Sequence, residues 1–225
     1  MATFAQLLAH HRGILVLDAA SQSTQTGLLR ANAPGIWHRT PEEAGNGIFA
    51  GTAAVLKEAG LTLGDIDAFA YCEGPGSMLG TRTIAMALRT WQVLLPRPAY
   101  AFQSLAVAAR TEWTQKPRAF TVIADARRDT WHVQSVRADG SLAPLQRVPA
   151  ADLPAGELVT PENFRAWAAL PRPAATVSYD LAKLFPALGD GDFHISEAPD
   201  AFQHEAPAYK KWSAQVHSAA TATPR

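Results

Sequence analysis

Asp67–Leu95, DAFAYCEGPGSMLGTRTIAMALRTWQVLL, divides into three parts that decide the fold. Ala68–Cys72 is a short apolar run with Phe69 and Tyr71, closed by turn residues, which is the pattern of a buried strand. Gly74-Pro75-Gly76 reads as a tight turn, since proline fixes one φ angle and glycine accepts positive ones. Ser77 or Thr81 suits a helix N-cap and Pro96 stops the helix, which is expected over Gly80–Leu95. A strand–loop–helix junction of this kind often cradles phosphate, because free backbone N–H groups and the helix dipole face the loop. No Gly-Lys-Ser/Thr stands at Walker distance, however. Gly74, Gly76 and Gly80 are spaced GxGxxxG, with no acid about 20 residues later to hold a ribose. On these residues alone a phosphate cradle and a turn that binds nothing both stay open.

Outward from this stretch, alternating apolar segments mark further strands. Gly13–Ala20 ends in Asp18-Ala19-Ala20 and is followed by strands near Thr26–Leu29 and Ile36–His38. Strand, strand, strand recurs after Ala119: Ala119–Ala124, a turn at Asp125–Asp129, then Thr130–Arg137, and Leu142–Val148 after the Asp139-Gly140 hairpin signal. Gly47–Ala59 reads as a helix with Ile48, Thr52, Val55, Leu56 and Ala59 on one stripe and Ala50, Ala53 and Ala54 on a second, smooth side. Gly60 caps it. The helix after the glycine turn is also apolar on two sides: Ile84, Ala87, Leu88, Trp91 and Leu95 on one, Met86, Thr90 and Val93 on the other. A helix packed on one sheet does not need the second side. The remaining expectations are a helix Ser104–Trp113 capped by Ser104, helices at Pro161–Leu170 and Leu181–Leu188, and strands at Ala99–Phe102, Ala175–Ser178 and Phe193–Ser196. Ser213–Arg225 is expected to be a disordered tail.

Composition narrows the function classes. Lys+Arg 20 balance Asp+Glu 20, so no nucleic-acid footprint is announced. No apolar run approaches the roughly 18 residues a bilayer span needs. The single cysteine, Cys72, excludes an internal disulfide framework and fits a reducing, cytoplasmic setting. Its place at the end of a buried strand suits a packed thiol. The seven histidines contain no HExxH motif, and the spacing implies no nucleophile–base pair, although Asp18, Asp125 and Arg127 supply acidic and basic side chains. Catalytic, cofactor and metal residues are therefore expected to be absent.

Cys72-Glu73-Gly74-Pro75-Gly76-Ser77-Met78-Leu79-Gly80-Thr81-Arg82 resembles the GxGPGSFTGxR segment of the TsaB (YeaZ) family. Ile14–Asp18 resembles that family's opening strand and Ile123–Arg128 its second-domain hairpin. Ala206-Pro207-Ala208-Tyr209 resembles its closing Glu-Pro-x-Tyr. The resemblance implies an α/β, actin-like (ASKHA) fold of two related domains, 1–103 and 104–212, each opening with a β-meander. It singles out Gly74, Pro75, Gly76, Ser77, Gly80 and Arg82 as the motif loop. It further implies a catalytically silent scaffold that pairs with TsaD, with the ATPase TsaE, in making N6-threonylcarbamoyladenosine at adenosine 37 of tRNA. The RNA would be met only through the complex, and no membrane is involved. Ala50, Ala53, Ala54, Met86, Thr90 and Val93 would form the partner face, or a homodimer face when the partner is absent.

Several departures from the family pattern carry weight. Ala19-Ala20-Ser21-Gln22 stands where actin-like proteins have a phosphate loop after the first aspartate, so Asp18 reads as a loop organiser ahead of a ligand. Glu73 precedes the glycine turn, where an anion repels phosphate. Ala44-Gly45-Asn46 replaces a His-Ser/Thr-Glu, Ser178-Tyr179-Asp180 replaces a Gly-Asp-Gly, and the metal-holding His-x-x-x-His of TsaD is missing. The competing readings are an actin-like small-molecule kinase or phosphotransferase, which needs a nucleotide site, and a glycoprotease-like peptidase, which needs a metal or nucleophile.

Overall fold

A computed structural model describes residues 4–189 and 191–204. After α1 (Phe4–His10), the chain lays down the meander β1 (Ile14–Asp18), β2 (Thr24–Leu29) and β3 (Ile36–Thr40). It then runs α2 (Ala44–Ala59), β4 (Ala68–Gly74), α3 (Met78–Leu94), β5 (Ala99–Gln103) and α4 (Ser104–Gln115). A second meander follows: β6 (Phe120–Asp125), β7 (Thr130–Val136) and β8 (Gln146–Pro149). The chain continues through β9 (Leu158–Pro161), β10 (Ala175–Val177), α5 (Leu181–Leu184) and β11 (His194–Ile195). One sheet has the order β11-β5-β4-β1-β2-β3 and the other β10-β9-β6-β7-β8. In both, three strands run parallel (β1, β4, β5 and β6, β9, β10) and the meander supplies the antiparallel edge. The expected α/β architecture of two related units, each opened by a meander, is what the chain adopts.

β1 and β4 are buried along their whole length, as parallel strands covered on both faces must be. Alternation then sorts their side chains. Leu15, Leu17, Phe69 and Tyr71 pack with Ile48 and Val55 of α2 and Ile84 and Leu88 of α3. Ile14, Val16, Ala70 and Cys72 face inward, in one core with Phe102, Phe120, Val122 and Val136. α4 lies between the sheets, touching β4 and β5 on one side and β6 and β7 on the other.

Several boundaries differ from the sequence expectation, each for an identifiable reason. α3 starts at Met78, not Gly80, because the Ser77 hydroxyl accepts the Gly80 N–H and caps it there. α2 begins at Ala44, one turn earlier than Gly47. Ser104 does not cap α4, since its hydroxyl donates to the Pro75 carbonyl. The helix expected over Pro161–Leu170 does not form. The Trp167 and Ala168 N–H groups donate to the Asp125 carboxylate, and Asn163 takes a left-handed φ of 60°. The returning strand is laddered only at Gln146–Pro149, because Pro144 has no N–H to pair and Leu142 makes an isolated bridge to Val136. Leu181–Leu188 becomes the short α5 and a 3-10 turn at Phe185–Ala187. The last strand, shortened to His194–Ile195, returns to the first sheet beside β5. The expected closing motif at 206–209 and tail at 213–225 lie outside the described residues.

Candidate functional site

The glycine turn docks on the loop after β1. The Ser77 N–H donates to the Ala20 carbonyl at 2.7 Å. A Cβ on Gly76 would stand 2.3 Å from the Ala20 oxygen, and one on Gly80 2.1 Å from the Ala19 oxygen. The GxGxxxG spacing therefore permits backbone-to-backbone contact between the β4–α3 junction and the β1–β2 loop. Arg82, one turn into α3, is exposed and makes no hydrogen bond or ion pair among the described residues.

Asp18 lies beneath this contact. It is fully buried, accepting the Tyr179 hydroxyl at 2.6 Å and the Ala20 N–H at 3.0 Å. Burial pushes its pKa up, while those two hydrogen bonds and Cys72 pull the other way. Burial likewise raises the Tyr179 phenol and the Cys72 thiol, whose sulfur sits 3.9 Å from the Tyr179 oxygen. Gln25 fastens the same segment, donating to the Tyr179 carbonyl and accepting the Leu181 N–H. Ser178-Tyr179-Asp180, the departure noted in the sequence, thus carries the ring that covers Asp18. Asp18 acts as a loop organiser: both its oxygens are engaged inside the chain.

Glu73 corrects the charge argument. Its carboxylate does not line the cleft. It turns toward the sheet edge, where Gln103 donates to it at 3.1 Å and His194 Nε2 lies 3.3 Å away. The hydrogen bond to Glu73 raises the His194 pKa against the opposing effect of partial burial. Asp125 and Arg127 do not meet Asp18 as acid and base either. Partial burial pushes the Asp125 pKa up, but N–H groups of Ala168, Arg127 and Trp167 hold it below the usual carboxylate value.

Between the sheets runs a cleft of 660 Å³. Ala19–Thr24, Glu42, Glu43 and Gly76–Gly80 line it from the first sheet, and Asp125–Arg127, His132, Phe164, Arg165 and Trp167 from the second. Among the described residues, no group of three or more His, Cys, Asp and Glu is placed to hold a metal, and no helix is long and apolar enough to cross a membrane.

The outer side of α2 and α3 is a second candidate. Ala50, Ala53, Met86, Thr90 and Val93 are exposed and Ala54 is half-buried. Leu79, Met86 and Val93 stand seven residues apart and are 73%, 59% and 84% exposed, one stripe down α3. Thr90 ties its hydroxyl to the Met86 carbonyl at 2.9 Å. Phe49 of α2 lies half-exposed against Trp91, edge to face. Leu79 and Phe49 are face residues absent from the sequence expectation; the seven-residue spacing of Leu79 from Met86 and Val93 is a signal for the first, and none marks the second. Arg89, Arg97 and Arg110, the other cations of this stretch, all donate to backbone carbonyls, and two also pair with Asp200 and Asp192.

Comparison with known proteins agrees with this arrangement. Residues 48–145 match the family model described as TsaD, tRNA N6-adenosine threonylcarbamoyltransferase. YeaZ from Pseudomonas aeruginosa is 20% identical with a TM-score of 0.61, over 78% of this chain and 89% of that one. A Pseudomonas aeruginosa protein described as similar to peptidase YeaZ gives 21% and 0.61, over 78% and 88%. At these identities the likeness establishes the fold. No curated protein matches the chain. The family model and the shared fold both support the TsaB (YeaZ) resemblance read in the sequence.

Proposed function

We propose that this chain, a protein of TsaB (YeaZ) type, is a non-catalytic scaffold that docks by its α2–α3 face on a TsaD-like partner. With a TsaE-like ATPase, the pair would serve N6-threonylcarbamoyladenosine formation on tRNA. The observation that carries the reading is the exposed apolar stripe Leu79–Met86–Val93, flanked by Ala50 and Ala53. Their small side chains permit close helix approach, and methionine adapts to the surface it meets. An apolar strip of this kind on a monomer is unfavourable in water and favours a helical partner, either TsaD-like or a second copy related by a two-fold axis. The TsaD family match, which includes most of α2 and all of α3, supports the choice of pathway.

The silent character rests on Asp18 and the glycine turn, which bind each other's neighbourhoods in place of a ligand. The purified chain is expected neither to hydrolyse ATP nor to form threonylcarbamoyl-adenylate. Turnover in a clean preparation that disappears in Asp18→Asn would overturn this and favour the kinase reading. The docking face is tested by Met86→Asp. Placing a carboxylate in a dry helix contact is expected to weaken association with the partner by about 3 kcal/mol. The monomer should keep its circular dichroism and denaturation midpoint. Undiminished co-elution with the TsaD-like protein would place the interface elsewhere.

A further inference from the structure

The segment after β11 crosses from the first unit to the second. Pro199 and Asp200 are held by Arg89 of α3, whose Nε donates to the Pro199 carbonyl at 2.6 Å and whose guanidinium pairs with the Asp200 carboxylate at 3.3 Å. The Asp200 N–H donates to the Tyr71 hydroxyl and the Phe202 N–H to the Glu73 carbonyl at 2.7 Å, both on β4. Ala201 between them is buried. The His204 ring then meets His132 of β7, Nε2 to Nδ1 at 2.9 Å, with the ring planes 20° apart. Phe202 packs edge to face on His204, with ring centroids 4.8 Å apart. Between Pro199 and His204 the chain thus runs from α3 and β4 of the first unit to β7 of the second.

An imidazole pair joined nitrogen to nitrogen tolerates one added proton but not two. In the neutral pair one ring donates and the other accepts, and a first proton still leaves one neutral ring to accept. With both rings charged, each nitrogen is a donor, no acceptor remains, and two cations face each other. His132 is the ring that resists the second proton. It is half-buried, set in the ladder between Ala124 of β6 and Arg147 of β8. Burial first, then His204 and Arg147, lower its pKa to about 4, and Asp125 at the end of β6 opposes them. The charges of α4, which packs on β7, are committed: Arg110 pairs with Asp192 and Glu112 with Arg118.

We propose that residues 199–204 are a strap between the two units, and that the His132–His204 pair is its latch, closed while one ring stays neutral and opened by the second proton. Opening leaves the strap anchored on α3 and β4 and parts it from β7. The release is a linkage effect. An uncovered His132 returns toward the ordinary histidine value of 6.5, so acid favours the open state between that value and about 4. The device needs neither a ligand in the cleft nor a partner on the α2–α3 face, so it stands apart from the scaffold reading.

Hydrogen exchange at the Phe202 amide of the full chain, corrected for the intrinsic rate, reads the strap, and nitrogen-15 NMR of the imidazoles reads the latch. Phe202 protection should fall by about tenfold as His132 takes its proton between pH 6 and 4, while the β4 amides stay protected. His132→Asn puts an amide near the place of Nδ1 that can accept or donate and does not titrate, so it should keep Phe202 protected over the same range. His204→Gln does the same from the strap side, and decides if circular dichroism shows His132→Asn misfolded. Phe202 protection that stays level while His132 titrates overturns the proposal, as does a loss shared equally by β4, which would be global unfolding. An acid loss undiminished in the folded variants would trace release to protonation of Asp200 and overturn the latch.

Discussion

The two sheets share one plan and differ in what covers them. In the first, the strands that precede and follow β4 along the chain, β3 and β5, are joined to it by helices of 16 and 17 residues, α2 and α3. In the second, the matching connections are a 3-10 turn at Ala150–Asp152 and the irregular stretch 162–174. The outer face of the first sheet accordingly packs a broad core, Leu15, Leu17, Phe69 and Tyr71 beneath both helices. That of the second buries only Ile123, Trp131, Val133 and Leu158, under loop residues such as Leu153 and Ala168. Among the described residues the second unit covers this face with loops, whereas the first covers it with a helical layer that is apolar on both sides. Such an excess of apolar surface does nothing for the monomer, which is why the helical layer is where the proposed partner docks.

Breaking the support of that layer should cost most. Gly80→Ala places a Cβ against the backbone oxygen of Ala19, where no flexible side chain can yield. Overpacking of that kind is expected to lower unfolding stability by about 3 kcal/mol, read as a shift of the urea midpoint. Gly45→Ala, in open space on α2, should be neutral or gain up to about 1 kcal/mol. Equal midpoints for the two variants would show that the β1–β2 loop adjusts and that the close approach holds nothing together.

The clasp between the sheets comes next. Tyr179→Phe removes the hydroxyl from a wholly buried carboxyl group, leaving Asp18 with the Ala20 N–H and Cys72. A buried acceptor stripped of a partner costs about 2 kcal/mol. The loss should be largest above the carboxylate's raised pKa, where Asp18 must carry charge in the interior, and should shrink in acid. A loss independent of pH would mean that the phenol contributes by packing alone.

How much of this was legible depended on how local its cause was. The two meanders were plain because alternation is written in neighbouring residues, as in Thr130–Val136, and the cap of α2 because Gly60 stands directly after it. The missing helix after Pro161 was not, because its N–H groups are taken by Asp125, about 40 residues away along the chain in the next strand but one. The same interaction puts Arg165 and Trp167, helical positions on the sequence expectation, in the cleft wall. Glu73 was placed correctly in sequence beside the glycine turn, but nothing local tells that its carboxylate turns toward His194. Leu79 falls in the turn on the sequence expectation, but the Ser77 cap puts the first turn of α3 two residues earlier and the residue on the helix. The return of His194–Ile195 to the first sheet leaves no pattern at all in so short a strand.

The smallest effect separates the two units by pH. His194, at the edge of the first sheet, has its pKa raised by Glu73, so its contribution to stability is present below the unfolded value and fades as pH rises through the folded one. Glu73 is buried but His194 is half-exposed, so screening keeps the pair's contribution modest. His132, on β7 of the second sheet, behaves oppositely. Burial lowers its pKa from 6.5 to about 4, helped by His204 and Arg147 and resisted by Asp125. Its ring nitrogen lies 2.9 Å from that of His204, an arrangement that one ring must serve as a neutral acceptor. The unfolded chain therefore takes up a proton in a window where the folded one refuses it, and stability is lost as pH falls from 6.5 toward 4. Hydrogen exchange measured between neutral pH and that window, after correction for the intrinsic rate, should show β7 and β8 losing protection while the β5–β11 edge holds or gains it. His132→Asn should flatten the acid-side loss in the second sheet and leave the His194 edge unaffected. An acid-side loss of the same size in His132→Asn would assign it to carboxylates whose folded pKa is lowered, with Asp125 on β6 the first to examine.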